Sequence, residues 1–232
     1  MKSSLRLVRF LGLGLICSLS AVSALQAQVA ISNLGQSVGA TGTIGRYSGG
    51  GEEWRRVFTF TTGASVGGYD FTGITMSFNA AAGSPGALSV SLYSTFDANT
   101  TAGGGTLVSA LSLSSGSPLA GPTATYSGTA TLAASTTYYL QLSSAFASAG
   151  NYYSYPVAST GQEDVGGLAG WSIGDVAYES NYNQLWTAQS GPGLFSVDAT
   201  AAIPEPSTYV LMFGLAALGV VLWRRKSATA SV

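Results

Sequence analysis

The chain has 232 residues with one cysteine, no histidine and a formal net charge of −1. That composition excludes a Ser-His-Asp triad, a Cys–His nucleophile pair and a Cys/His zinc set. The near-neutral total also hides a division, because residues 28–203 hold three arginines against nine carboxylates, a net −6. So acidic a stretch is a poor partner for nucleic acid, whose affinity rests on Lys and Arg contacts to phosphate.

At the start, Lys2, Arg6 and Arg9 precede the apolar run Phe10 to Leu19, and small residues follow through Ala27. This order predicts a secretory signal peptide over 1–27, cleaved after Ala27 or after Ala24 in Val22-Ser23-Ala24. Cys17 would leave with it, so the mature chain is expected to hold neither a disulfide nor a thiolate site. Leu13-Gly14-Leu15-Ile16-Cys17 fits a lipobox only loosely, since Ser18 to Ala24 continues apolar and small.

Residues 28–54 read as an N-terminal strand and a loop ending in the Gly-rich Tyr47-Ser48-Gly49-Gly50-Gly51. Beyond them no sustained 3.6-residue period occurs, and short runs of period two recur instead. Trp54, Arg56, Phe58 and Phe60 share one parity; Ile74, Met76 and Phe78 alternate with Thr75 and Ser77; Leu88, Val90 and Leu92 alternate with Ser89, Ser91 and Tyr93. Later strands are expected at Leu107 to Leu113, Tyr126 to Leu132, Tyr138 to Leu142, Tyr152 to Val157, Trp171 to Tyr178 and Phe195 to Ala199. Gly83-Ser84-Pro85-Gly86, Gly103-Gly104-Gly105, Ser117-Pro118, Gly121-Pro122 and Gly191-Pro192-Gly193 punctuate them. Nine or ten strands at this spacing predict an all-β fold, an antiparallel β-sandwich of jelly-roll-like form, over 55–203.

Several of these segments resemble the R type of the choice-of-anchor surface domains. They are Phe58-Thr59-Phe60-Thr61-Thr62-Gly63, Leu88-Ser89-Val90-Ser91-Leu92-Tyr93-Ser94, Leu132 to Leu140 and Phe195-Ser196-Val197. The resemblance spans about 55 to 200 and implies a β domain displayed at a cell surface. It implies no activity.

Carboxylates are the remaining candidates for chemistry. Glu52-Glu53, Glu163-Asp164 and the pair Asp175 and Glu179 supply the residue type a glycosidase needs, but adjacent acids on a strand point to opposite faces. Solvated charge on a weakly charged surface is the preferred reading, and the chain is expected not to be an enzyme. Asp97-Ala98-Asn99 and Glu163-Asp164 carry oxygen ligands for calcium without EF-hand spacing, so an Asx turn is expected at Asp97 and no metal or cofactor. Gly103-Gly104-Gly105 lacks the following helix and Lys of a phosphate cradle, and Asn99-Thr100-Thr101 is a formal glycosylation sequon. Aromatics crowd the second half: Tyr138, Tyr139, Tyr152, Tyr153, Tyr155, Trp171, Tyr178, Tyr182 and Trp186. One ring of each adjacent pair must leave the core, which nominates Trp171 and Trp186 either as core or as sugar-contact residues.

Near the end, Pro204-Glu205-Pro206 leads into a segment 209–223 that carries no charge, then Arg224-Arg225-Lys226. Fourteen helical residues from Val210 to Trp223 span roughly 21 Å at ~1.5 Å each, short of the ~30 Å hydrocarbon core. Snorkelling of the three cations and the interfacial rings of Tyr209 and Trp223 would extend the reach, and the cations would hold their end cytoplasmic. The three-part order over 203–226 resembles the PEP-CTERM sorting signal, and only Ser227 to Val232 extends past the basic cluster. That resemblance implies an exopolysaccharide-producing Gram-negative source, processing by an exosortase-type membrane protease near Pro204, Glu205 and Pro206, and a transient membrane anchor over 204–232. The expected partners are thus the secretion translocon, exosortase, the membrane and extracellular polysaccharide.

Overall fold

A computed structural model describes residues 28–46, 53–144, 149–159, 163–164, 167–181, 185–202 and 213–218. Among them are thirteen strands: β1 (Gln28–Ser32), β2 (Val38–Arg46), β3 (Glu53–Thr61), β4 (Tyr69–Ser77), β5 (Leu88–Tyr93), β6 (Leu107–Gly116), β7 (Thr123–Leu132), β8 (Thr137–Ser144), β9 (Asn151–Ala158), β10 (Ser172–Ile173), β11 (Val176–Asn181), β12 (Thr187–Ser190) and β13 (Phe195–Ala201). Every pairing between them is antiparallel. The main path runs β1-β13-β4-β7-β6-β5-β8-β3-β11-β12, with β10 and β2 also on β3, and β9 on β2.

The period-two runs are half-buried strands. In β8 the side chains Tyr138, Leu140 and Leu142 are buried, while Tyr139, Gln141 and Ser143 alternate outward. The sheet curls on itself at β6, whose first half pairs with β5 and whose second half pairs with β7. Its two halves thereby face each other across one core. Phe58 of β3 stacks on Phe195 of β13 at 6.0 Å, and Phe60 stacks on Trp171 at 5.8 Å. Tyr69 of β4 meets the same indole edge-on at 4.9 Å. Burying each such ring contributes about 1.5–3 kcal/mol, which is how a chain with so few charges and no expected disulfide holds together.

Three places depart from the expected strand list, the first being β12, a segment not expected as a strand, which pairs with β11. The single strand expected over Trp171 to Tyr178 is divided into β10 and β11 by a bend at Asp175, across which the register against β3 passes from Ile173 opposite Phe60 to Tyr178 opposite Val57. Residues 28–54, read as one strand and a loop, hold both β1 and β2, and β1 joins β13 from Gln28 onward.

The strands define two poles. At one, Ala202 N–H donates to Gly68 O at 3.0 Å, Thr62 Oγ1 donates to Ala133 O, and Ala133 N–H donates to the Tyr138 hydroxyl. At the other, the β2–β9 ladder roofs the curled sheet. It is tied to one half by Leu194 N–H to Pro156 O and Asn79 N–H to Ser154 O, and to the other by the pairing of Gly45 with Trp54. Residues 213–218, within the expected membrane helix, are helical and exposed. Among the described residues no helix is long and apolar enough to cross a membrane. The expected signal peptide lies outside the described residues.

Candidate functional site

The inner row of β3 begins in the core and ends at the roof: Phe60 and Phe58 are fully buried, Arg56 is 8% exposed, and Trp54 is partly exposed. An arginine in such a row must be neutralised, and strand register supplies the means. Glu179 of β11 lies directly opposite Arg56, so their side chains share a face and form an ion pair. The second Glu179 oxygen, Oε1, accepts from Gln189 Nε2 at 2.6 Å.

Roof and sheet part company beside this pair. β2 pairs with β3 only at Gly45 with Trp54 and Arg46 with Glu53. Farther along, Arg56 Nε reaches across the gap and donates to Thr43 O at 3.0 Å. The separation leaves an open cleft of about 510 Å³. Trp54 and Arg56 come from β3, Glu179 from β11, Thr41 and Thr43 from β2, and Tyr152 and Ser154 from β9. A smaller hollow of about 240 Å³ shares Arg56 and Glu179 and is walled by Tyr155, Ala177 and Gln189.

Burial holds the Arg56 guanidinium below its ordinary pKa, with Tyr155 opposing the shift, yet an arginine stays charged at neutral pH. The Tyr155 hydroxyl is pushed up to about 12 by burial, against the pull of Arg56, so it remains a neutral donor. Its ring lies over Gly42, where a Cβ would sit 2.2 Å from the ring carbon Cζ. Only glycine permits that approach. The cleft is therefore a water-accessible groove with a charge-neutral ion pair in its floor, hydroxyls on its walls and an indole at its edge.

Both tryptophans expected either in the core or at a sugar contact are buried. Trp171 is sandwiched between Phe60 and Tyr69, and its Nε1 is buried without a hydrogen-bond partner. Trp186 is 5% exposed, with Arg55 over its ring at 4.9 Å and Phe96 against it at 5.3 Å. Stacking on a sugar needs an open ring face, and packing occupies these. Tyr182 lies outside the described residues.

The carboxylates take structural places. Asp97 Oδ1 accepts from Asn99 N–H at 2.9 Å, an Asx turn. Glu163 Oε1 accepts from Ile173 N–H at 2.7 Å. Asp164 accepts from Ser32 Oγ, Gly35 N–H and Gln36 Nε2. Asp175 is exposed at the bend before β11, while Glu179 is held by Arg56. Among the described residues no group of three or more His, Cys, Asp or Glu is arranged to hold a metal ion. Sequence reasoning missed the cleft, although a signal was present: an arginine and a tryptophan continue the parity of Phe58 and Phe60.

Pro204, Glu205, Pro206, Arg224, Arg225 and Lys226 lie outside the described residues. The family model for the PEP-CTERM protein-sorting motif matches residues 202–226. No curated protein and no solved structure matches the chain. The chain thus carries this sorting motif immediately after β13, which supports export, handling by an exosortase and a surface or extracellular destination.

Proposed function

We propose that this is a non-enzymatic structural or interaction protein of the cell surface or extracellular matrix, exported through the translocon and sorted by exosortase. In this reading the β domain is a choice-of-anchor R-type module of jelly-roll-like form, and the segment after it is a transient membrane anchor that processing removes. The surrounding material is an exopolysaccharide matrix.

The observation that carries the reading is the junction. β13 ends at Ala201, Ala202 is still hydrogen-bonded to Gly68 O, and the matched sorting motif begins at 202. A folded domain that runs into its sorting signal without a spacer suits a protein whose domain is the cargo and whose tail is the address. Mass spectrometry of surface and extracellular protein from the native host tests this. A C-terminus between Pro204 and Thr208 is expected; mature surface material that retains Val232 would overturn it.

A further inference from the structure

We infer that the cleft between the β2–β9 roof and strands β3 and β11 binds a neutral glycan, with Trp54 as its stacking platform and Arg56 and Glu179 as its hydrogen-bonding floor.

The chemistry of the groove selects the ligand class. Arg56 and Glu179 set guanidinium donors and a carboxylate acceptor side by side, and adjacent hydroxyls of a sugar ring need both. Thr41, Thr43 and Ser154 add hydroxyl-bearing side chains along the walls. Trp54 is partly exposed at the rim; the Arg56 guanidinium lies over its ring at 5.4 Å, and the part left uncovered supplies an amphipathic surface. A volume of about 510 Å³ lies within the ~300–1,000 Å³ of small-molecule sites. The openness of the groove admits a chain as well as a single ring.

Charge decides between neutral and anionic glycans. Among the described side chains that line the cleft one cation faces one anion, so these offer a sugar carboxylate no unpaired positive charge. The −6 carried by residues 28–203 repels a polyanion at longer range. A neutral polymer meets neither obstacle.

Position supports the same assignment. β3 runs from Trp54 at the roof to Thr61 at the other pole, a span of roughly 23 Å at ~3.3 Å per residue. Ala202, where the matched motif begins, closes the far pole against Gly68. Under the sorting reading above, on which this orientation alone rests, a tail held at a membrane leaves the cleft facing away from it.

The test uses the full chain in detergent, titrated calorimetrically with oligosaccharides of glucan, mannan and galactan and, separately, of alginate. Wild type is expected to bind at least one neutral series more tightly than alginate. Trp54→Ala should weaken that binding at least about tenfold at an unchanged melting temperature, and Trp186→Phe should leave it unaltered. If Trp54→Ala lowers the melting temperature, Thr43→Val becomes the deciding variant, and a several-fold loss with an intact fold is expected. Absence of neutral binding, preference for alginate, or equal binding by a folded cleft variant would overturn the proposal. Retention of an intact tail in the host would overturn the sorting reading and leave this measurement untouched.

Discussion

Two arginine–tryptophan pairs sit on opposite faces of β3. Arg55 lies 4.9 Å from the Trp186 ring, and Arg56 lies 5.4 Å from the Trp54 ring. Adjacent residues on a strand must diverge in this way, so similar chemistry enters two environments. On the outer face Phe96 closes over Tyr139, Tyr178 and Trp186, and Arg55 Nη2 donates to Thr101 O at 2.6 Å. On the inner face Arg56 joins Glu179 at the floor of an open groove with Trp54 at its edge. The residue types do not separate a structural pair from a binding pair. What separates them is whether another part of the chain covers the ring.

Truncating each indole should break the comparison most visibly. Trp186→Ala removes a ring that is 5% exposed and should cost about 3–5 kcal/mol in denaturant unfolding of the full chain. Trp54→Ala removes a partly exposed ring and should change stability by no more than about 0.5 kcal/mol. Equal losses would mean that Trp54 is structural too, and the distinction between the pairs would fail.

The arginines themselves come next. Arg56→Met strands Glu179, whose side chain is 17% exposed, and should cost on the order of 3 kcal/mol. Pairing it with Glu179→Leu should recover much of that loss, because the uncompensated charge is then gone. Arg55→Met breaks hydrogen bonds to Thr101 O and Ser180 Oγ and should cost about 1–2 kcal/mol. A double-mutant cycle at 56 and 179 that shows no coupling would remove the ion pair from the account of the cleft.

Gly103→Ala probes the outer pair from the loop side. Gly103 has φ +72, and a Cβ there would sit 2.4 Å from Trp186 Cε2, so ring and loop cannot both stay in place. A loss of about 1–3 kcal/mol is expected, with glycan binding unchanged. Binding that fell in parallel with stability would show the two faces to be coupled through β3.

Much of this was legible in sequence, and the limit was physical. Alternation placed Phe58, Ile74, Val90 and Leu140 on buried faces, where all four lie. Alternation also said that one ring of Tyr138 and Tyr139 must leave the core. It did not say that Phe96, from the segment after β5, would cover the outgoing ring, because such a roof depends on contacts distant in sequence. For that reason alternation leaves Trp186 open between core and sugar contact, and the structure buries it. The cleft was hidden for a related reason: its walls come from β2, β3, β9 and β11, and only the register of Glu179 against Arg56 reveals the floor. β2 fell in a stretch whose Gly-rich composition obscured its pairing with β9.

The smallest expected effect is a pH response confined to the cleft side. Asp164 clamps the turn from β1 into β2, the strand that supplies Thr41 and Thr43 to the groove. Burial raises its pKa, but donation from Gly35 N–H, Ser32 Oγ and Gln36 Nε2 outweighs this and holds the carboxyl below its ordinary 3.8. A lowered carboxylate contributes stability that is fully present above its unfolded value and is lost as pH falls through the folded one. The advantage of wild type over Asp164→Asn should therefore be constant from pH 7 to about 5 and shrink progressively as the pH falls further. Asp198 in β13 has the opposite sign, because burial raises its pKa; removing its charge with Asp198→Asn should give the larger gain at neutral pH. Tryptophan fluorescence localises the response. In a background with Trp171, Trp186 and Trp223 changed to Phe, the Trp54 signal should shift over the acid range in which Asp164 is protonated, whereas with Trp54, Trp171 and Trp223 changed to Phe the Trp186 signal should stay flat until global unfolding. A Trp186 signal that moved first would place the acid-sensitive clamp on the covered face and reverse the assignment of the two sides.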